Sequence, residues 1–439
     1  MANLQKGDTK LLNAWAFYDW ANSVYSLVIS SAVFPIFFEA LFTDRSHYIK
    51  IFGYSLKNSA LISFVTAFAF LVVAFVSGVS DDVGTKKSVM MFFCYLGALS
   101  CIGLYWFSLE SIYISLVFYF LGLVGFWGSW VFYNSYLPDI AYANQQDAIS
   151  AKGFSYGYVG SVILLIVNLA MIMMPDLFGI SGTKGEAAMK AMRYSFVMVG
   201  VWWILFSQYT YYYLPKGNKI VASSIKKHII FNGFKELKKV WLLLADNSAL
   251  KKYLGSFFVY SMAVQTVMLI ATYFGAQEIQ WASQSESTTG LIICILLIQL
   301  VAIVGATFTS KASKKYGNIP TLIAINGFWI VLCVLAYFIY LPIHFYVMAS
   351  LVGLVMGGIQ ALSRSTYSKL LPETEDTASF FSFYDVAEKI GIVIGMCVYG
   401  IIDQITGSPR FAIVFLGVFF VIGLLLLKRV PKTAALSTK

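Results

Sequence analysis

Residues 13–31 read NAWAFYDWANSVYSLVISS, and the sequence stays largely apolar as far as Phe42. Such a run exceeds the roughly 20 residues that a helix needs to cross the hydrocarbon core of a bilayer. It nevertheless contains an aspartate, Asp19, an asparagine, Asn22, and four serines. The stretch therefore predicts a membrane-spanning helix whose polar residues share a face of their own.

The composition of the whole chain agrees with a membrane protein. Of its 439 residues, 59% are hydrophobic and 12% are charged, and the mean hydropathy is +0.75. Soluble domains need a charged surface and lie well outside this range. The strands of membrane β-barrels alternate apolar and polar residues over about 10 positions, and that pattern is absent from the sequence. We therefore predict an all-α integral membrane protein.

Apolar runs of spanning length recur twelve times along the chain. They cover residues 12–42, 59–79, 88–108, 112–137, 154–174, 194–214, 253–275, 288–309, 320–341, 344–366, 380–402 and 410–428. The longest polar connection follows the sixth run and carries nine lysines. The pattern predicts an N-terminal six-helix half at 1–215, a cytoplasmic basic linker at 216–252 and a C-terminal six-helix half at 253–439.

The distribution of positive residues predicts the orientation. If both termini are cytoplasmic, 24 of the 31 Lys and Arg residues belong to the inner side and 7 to the outer side. Loops of helical membrane proteins are enriched in Lys and Arg on the cytoplasmic side. The formal charge of +10 then faces anionic lipid headgroups, and it requires no nucleic acid as a partner.

The two predicted halves resemble each other weakly. The fourth run is followed by YLPDIA and then GFSYGYVGS, and the tenth run is followed by KLLPET and then FFSFYDVAEKIG. Parallel six-helix repeats are the architecture of the major facilitator superfamily, whose substrate path runs between the halves. We predict this fold, with twelve transmembrane helices in two pseudo-symmetric halves.

A set of longer strings points to one family. WAFYDWANSVY and FPIFF lie in the first run, FYNSYLPDIA ends the fourth, GGIQALSRSTYSKLLPE ends the tenth, FFSFYDVAEKIG lies in the eleventh and GSPRFAI opens the twelfth. Together they resemble the vacuole effluxer-like (autophagy-related permease) family of the major facilitator superfamily. One departure is YSMAVQT in the seventh run, where Met262 and Ala263 replace an Asp-Gly pair that is usual in the family.

The resemblance implies a secondary active transporter that moves a small solute by alternating access. Fungal members of the family are associated with export of amino acids from the vacuole, so amino acid efflux is one expectation. The bacterial members that the chain also resembles imply the inner membrane of a bacterium as its location, with both termini cytoplasmic. The alternative is a membrane sensor or assembly partner that keeps the fold without moving a solute.

The first run supplies the leading candidates for the substrate path. At helical spacing, Asp19, Asn22, Ser23 and Ser26 lie on one face. An aspartate inside a span costs at least about 2.5 kcal/mol on insertion scales, so such a face is expected to line a bundle interior or a water-filled cavity. Asp19 either binds solute or a proton in the path, or it anchors the helix structurally.

Polar and aromatic residues of three further runs complete the predicted path. They are Trp127, Trp130 and Asn134 in the fourth run, Tyr260 and Gln265 in the seventh, and Gln360 in the tenth. The alternative for the tryptophans is an anchoring role at the membrane interface. Gly353 and Gly357 share a helix face with Gln360, and we expect these two glycines to allow close helix packing.

A second group of charged residues is interpreted as a gate or latch. It comprises Asp81, Lys86 and Lys87 in the loop SDDVGTKKS, which partly matches a superfamily loop motif, and Arg364, Asp385, Glu388 and Lys389 in the tenth and eleventh runs. Asp385 and Lys389 are spaced to form an (i, i+4) ion pair on a helix.

Several classes of function are not indicated. The five cysteines form no CxxC pair and the three histidines are scattered, so we predict neither a disulfide framework nor a metal site. No catalytic constellation and no nucleotide-binding loop is visible, so we predict no enzyme activity and no cofactor, with a proton as the candidate coupling ion. The predicted partners are a small-molecule solute and membrane lipids, and the expected state is a monomer.

Overall fold

The computed structural model describes residues 4–42, 48–51, 53–77, 86–216, 238, 240–244, 247–374 and 376–431. Within these ranges the chain forms twelve long helices, which agrees with the predicted number of spans. They are α1 (Thr9–Ala40), α2 (Asn58–Ser77), α3 (Lys86–Gly103), α4 (Ile112–Ser135), α5 (Ala143–Met173), α6 (Lys184–Tyr213), α7 (Ser248–Glu278), α8 (Gln284–Tyr316), α9 (Asn318–Ala336), α10 (Pro342–Leu370), α11 (Thr377–Thr406) and α12 (Pro409–Leu427).

Nine of the helices in the described ranges are long and apolar enough to cross a bilayer. The other three are α2, α6 and α11. α6 begins with Lys184, Glu186 and Lys190, and α11 contains Asp385 and its charged neighbours. The eleventh span therefore carries a polarity that insertion into lipid alone does not favour.

Short elements that the sequence patterns did not predict join the long helices. Strands β1 (Tyr48–Ile51) and β2 (Tyr54–Lys57) pair antiparallel, and Gly53 adopts φ 85° between them, a conformation that L side chains rarely take. A one-turn helix, Leu137–Ile140, follows α4, and 3-10 turns occupy Leu104–Trp106 and Pro175–Phe178.

Side-chain caps determine where several helices begin. The carboxylates of Asp8 and Asp376 accept backbone N–H groups of α1 and α11, and the Asn247 side chain does so for α7. Such caps satisfy N–H groups that have no partner within the helix. At the start of α6, donation from the Thr183 backbone and hydroxyl lowers the pKa of Glu186 below its usual value.

Arg410 joins three helix ends at the start of α12. It is 6% exposed, and its Nε lies 2.5 Å from Glu278 Oε2 at the end of α7. Its other nitrogens donate to the carbonyls of Glu278, Tyr337 and Ile339. The guanidinium therefore satisfies carbonyls that the ends of α7 and α9 leave without helical partners.

The chain divides into two compact units. Unit one comprises Met1–Asn134 and Val159–Glu236, and unit two comprises Ser135–Tyr158 and Leu237–Lys439. The predicted halves, 1–215 and 253–439, stay a prediction, since the linker at 216–252 lies largely outside the described residues. The grouping of Ser135–Tyr158 with unit two, however, does not follow from its position in the chain.

Within unit one, α1 packs against α6. The Thr210 hydroxyl donates to the carbonyl of Ala14 over 2.7 Å, and the Trp202 indole donates to the carbonyl of Trp20 over 3.1 Å. Trp15 and Trp203 are fully buried nearby. Trp15 of α1 and Trp203 of α6 thus lie in the interior of this unit rather than facing lipid.

Within unit two, α8 and α10 cross at very short range. A Cβ on Gly353 would lie 2.5 Å from the carbonyl oxygen of Ile298, and one on Gly357 would overlap the carbonyl of Ala302. On α8, a Cβ on Gly305 would overlap the carbonyl of Leu354. The prediction that Gly353 and Gly357 allow close packing is confirmed, since a Cβ at either position would overlap the backbone of α8.

Candidate functional site

Asp19 is completely buried in unit one. Its Oδ2 accepts a hydrogen bond of 2.8 Å from the hydroxyl of Tyr133 on α4. Tyr133 is itself fixed, because its carbonyl accepts the Trp15 indole N–H over 2.8 Å and its ring stacks on Trp15 at 4.5 Å. The geometry thus ties Asp19 to an aromatic cluster, which agrees with the anchoring interpretation more closely than with an open path.

The predicted polar face of α1 changes character along the helix. Asn22 is fully buried and its amide oxygen lies 3.5 Å from the Ser23 hydroxyl, whereas Ser26 is exposed. The backbone is π-helical over Tyr25–Ala32. A π-helical turn holds more residues than an α-helical one, so the regular spacing that placed Ser26 below Asn22 does not hold there. Such π-helical insertions occur frequently at functional sites.

Of the residues predicted on α4, Trp130 lies next to Tyr133, the hydrogen-bond partner of Asp19. The Trp130 ring lies 5.7 Å from that of Tyr133, and Asn134 is 4% exposed. Trp127 lies nearer the start of α4. Its ring packs edge-on against Phe126, with the ring centroids 4.9 Å apart, and against Phe70 of α2, at 5.8 Å. Both tryptophans therefore take part in aromatic packing inside unit one. Tyr133, which the sequence analysis did not single out, connects Trp130 to Asp19.

In unit two, Tyr260 of α7 is 1% exposed and fixed by hydroxyl groups. Its oxygen lies 2.7 Å from Ser363 Oγ on α10 and 3.2 Å from the Tyr253 hydroxyl. Tyr253 in turn donates to the carbonyl of Ser363 over 2.9 Å. The predicted path residue is thus part of a hydrogen-bonded connection between α7 and α10.

The middle of α7 meets a charged cluster on α11. Gln265 Nε2 donates to Glu388 Oε1 over 2.8 Å. Lys389 Nζ lies 3.1 Å from Asp385 Oδ1 and 3.5 Å from Glu388 Oε2. The predicted (i, i+4) pair of Asp385 and Lys389 is confirmed. We call Gln265, Asp385, Glu388 and Lys389 the α7–α11 cluster; it joins one predicted path residue to three that we had interpreted as a latch.

Arg364 and Gln360 of α10 contact the Ser135–Tyr158 segment, within unit two. Arg364 Nε donates to Ser150 Oγ over 2.9 Å, and its guanidinium lies over the Phe154 ring at 4.2 Å. Gln360 Oε1 accepts the Tyr158 hydroxyl over 2.8 Å. Gln360, which the sequence analysis predicted to line the path, is therefore hydrogen-bonded to Tyr158.

A further network that sequence reasoning missed holds the same segment. Asp147 forms an ion pair of 2.7 Å with Lys369 at the end of α10. It also accepts hydrogen bonds from Ser313 and Asn318, of 3.0 and 2.9 Å. Asp147 and Lys369 are more than 200 positions apart in the chain, so no local spacing could have paired them. The signal available was an acid near the start of the fifth span, in NQQDAIS.

The remaining latch candidates have different positions. Lys87 is 8% exposed and donates to the carbonyl of Leu214, the residue after α6, over 3.0 Å. Lys86, next to it, is partly buried. Asp81 lies outside the described residues. Lys87 thus acts on the C-terminal end of α6, where a cation is favoured.

No group of three or more His, Cys, Asp or Glu side chains that could hold a metal ion occurs in the described part of the chain. The expectation that the protein uses no metal and no other cofactor stays a prediction.

Comparison with known proteins adds the family to this geometry. A family model described as "Vacuole effluxer Atg22 like" matches residues 7–438. An uncharacterized MFS-type transporter, YxiO of Bacillus subtilis, is 30% identical over 98% of this chain and 96% of its own length. Autophagy-related protein 22-1 of Phaeosphaeria nodorum is 22% identical, over 94% of this chain and 88% of its own.

Solved structures of major facilitator transporters share the fold. The E. coli fucose:proton symporter FucP aligns with a TM-score of 0.69 at 14% identity, over 97% of this chain and 98% of that one. The proton:xylose symporter XylE aligns with a TM-score of 0.72 at 12% identity, over 97% and 96%. The predicted fold class is confirmed, and these likenesses carry no information on the solute.

Proposed function

Because the chain belongs to the vacuole effluxer Atg22-like family and has the major facilitator fold, we propose that this multi-pass membrane transporter exports amino acids by alternating access, coupled to protons. The relatives and the fold point to a transporter rather than to an enzyme. The family name supports efflux as the direction. Its proposed location is the inner membrane of a bacterium, with cytoplasmic termini and a monomeric state.

The observation that carries the proposal is the α7–α11 cluster. Ionisable residues within membrane helices are costly and usually face a bundle interior or a water-filled cavity, where they mark ion and substrate pathways. Three such residues occur within five positions of α11, and a path residue of α7 contacts one of them. A purely structural helix contact would be served at lower cost by apolar side chains.

We propose that polar side chains of the predicted path take part in solute recognition. Asn22 and Ser23 of α1 offer amide and hydroxyl groups, and Gln360 of α10 offers an amide. Such groups fix the orientation of a small polar solute in an otherwise apolar site.

The Ser135–Tyr158 segment is proposed to be the latch. Its contacts with Arg364 and with Lys369 combine charge, hydrogen bonds and a cation–π interaction. Ion pairs that form in one conformation and break in another are a common way to hold a switching state. The role of Asp81, Lys86 and Lys87 as further latch residues stays a prediction from the sequence.

Exchange of labelled amino acids by the purified full-length chain in proteoliposomes tests the proposed function. Vesicles preloaded with one unlabelled amino acid should take up the same labelled amino acid faster than vesicles without protein. The full set of amino acids is tested singly. If none is exchanged while a thermal shift still reports that one of them binds, the chain is a sensor with a transporter fold.

A further inference from the structure

We propose that Glu388 of α11 is the carboxylate that takes up and releases the coupling proton. This inference rests on the proposed transport function and names the site of its coupling. The step adds one proton to a carboxylate oxygen on one side of the membrane and releases it on the other, with no other bond made or broken.

Glu388 lies far from either end of its helix. At about 1.5 Å of rise per residue, it lies about 16 Å along α11 from Thr377. Its partner Gln265 lies about 25 Å along α7 from Ser248, close to the middle of that helix. The Glu388 side chain is 16% exposed. Its charge must therefore be balanced within the protein or neutralised.

The cluster carries an uneven charge. When all three groups are ionised, the carboxylates of Asp385 and Glu388 face one ammonium, that of Lys389, and the sum is one negative charge. Lys389 is closer to Asp385, at 3.1 Å, than to Glu388, at 3.5 Å. The side chains of Asp385 and Lys389 are 7% and 6% exposed, and that of Glu388 is 16% exposed. A proton on Glu388 would bring the cluster to neutrality, and this carboxylate is the more accessible of the two.

Gln265 keeps Glu388 in position in both protonation states. Its amide donates to Oε1 over 2.8 Å. That oxygen accepts a hydrogen bond whether the group is a carboxylate or a carboxylic acid, and the proton would go to Oε2, which lies 3.5 Å from Lys389 Nζ in the charged form. A hydrogen bond of this kind is stronger to the charged form of a carboxyl group than to the neutral form.

Titratable groups from three helices of unit two lie around Glu388. Tyr384 and Lys389 are its neighbours on α11, Tyr260 faces it from α7, and Arg364 and Tyr367 belong to the same electrostatic environment from α10. Tyrosine, lysine and arginine titrate far above neutrality. Asp385 is held in its ion pair with Lys389. Asp385 forms the shorter contact with Lys389 and is the less exposed of the two carboxylates, so the change of charge during transport is assigned to Glu388.

Replacement of Glu388 by glutamine separates coupling from exchange. In proteoliposomes, Glu388→Gln should continue to exchange labelled solute at equal pH but should lose the accumulation that an imposed pH gradient drives. The matched control is Glu373→Gln, because Glu373 is an exposed acid just before α11. It should keep both activities.

Two results with Glu388→Gln would overturn the proposal. Wild-type accumulation and pH dependence in this variant would exclude Glu388 as the proton carrier. Loss of both exchange and accumulation in a protein that still elutes as a single folded species would show that Glu388 binds the solute instead. If the wild-type chain exchanges no solute at all, the transport function itself fails; if it exchanges solute without responding to a pH gradient, the coupling proposal alone fails.

A second variant tests the same carboxylate without removing it. Gln265→Leu withdraws a hydrogen bond from the charged form and should shift the pH of half-maximal accumulation upward by about one unit, the size expected for one hydrogen bond to a charged group. This readout remains available if Glu388→Gln does not fold. An unchanged profile, or a shift to lower pH, would contradict the proposal.

Discussion

Asp19 illustrates how a buried charge depends on its immediate neighbours. The carboxylate is fully buried and accepts the Tyr133 hydroxyl over 2.8 Å. Sequence spacing located Asp19 on a polar face of α1 correctly enough to predict that it avoids lipid. It could not supply Tyr133, because the two residues are 114 positions apart and a tyrosine at a helix end is more often an interface anchor.

We expect Tyr133→Phe to destabilise the protein by about 1–3 kcal/mol, because it removes a donor from a buried carboxylate. Thermal unfolding of the purified protein in detergent measures the effect. The matched control is Tyr273→Phe, since the Tyr273 side chain is 67% exposed and should tolerate the change. Equal melting temperatures for the two variants would show that the Tyr133 hydroxyl does not support Asp19.

At the scale of elements, helix number and approximate position followed from the apolar runs, whereas the details of each helix did not. The π-helical stretch Tyr25–Ala32 escapes a pattern search that assumes a regular period. Gly353 and Gly357 indicated that α10 packs closely against another helix. The sequence did not indicate that Gly305 of α8 lies at the same crossing. Contact between helices depends on which faces meet, and periodicity in one helix does not specify its neighbour.

The α8–α10 crossing yields a prediction on stability. Gly357→Ala should destabilise the protein by about 1–3 kcal/mol, because the added methyl group overlaps the backbone of α8 and forces the helices apart. In Gly400→Ala the new methyl group meets no atom within 4 Å, and the better helix propensity of alanine should leave stability unchanged or raise it slightly. Thermal unfolding of both variants in the same detergent distinguishes them. An unchanged melting temperature for Gly357→Ala would mean that α8 and α10 can move apart without a loss of stability.

The proposed latch role of the Ser135–Tyr158 segment can be tested by removing the ion pair between Asp147 and Lys369. Lys369→Gln leaves Asp147 without its cation and should loosen the segment. A cysteine introduced at Ala151, which is 4% exposed, should then react faster with a membrane-permeant maleimide, in a chain whose five native cysteines are replaced by alanine. Lys252→Gln, at an exposed lysine of α7, is the control. Identical labelling rates in the two variants would argue against a latch at Asp147.

At the scale of the whole molecule, composition and the strings of the first, fourth, tenth and eleventh runs were sufficient to predict the major facilitator fold and the family. They were not sufficient for the placement of Ser135–Tyr158 in unit two, nor for the contact of Gln265 with Glu388, since both depend on residues distant in sequence. Glu388 was interpreted as part of a latch because the sequence analysis placed it by the cytoplasmic ends of the tenth and eleventh runs, together with Arg364. Its position along α11 and its hydrogen bond to Gln265 instead support a role in ion coupling.

The central claim is that solute movement and proton movement are one process. The most direct test adds an exchanged amino acid to wild-type proteoliposomes in weakly buffered medium and follows the external pH. Addition should cause an immediate pH change that a protonophore abolishes and that Glu388→Gln lacks. Exchange of the same labelled solute with no accompanying pH change would contradict the account.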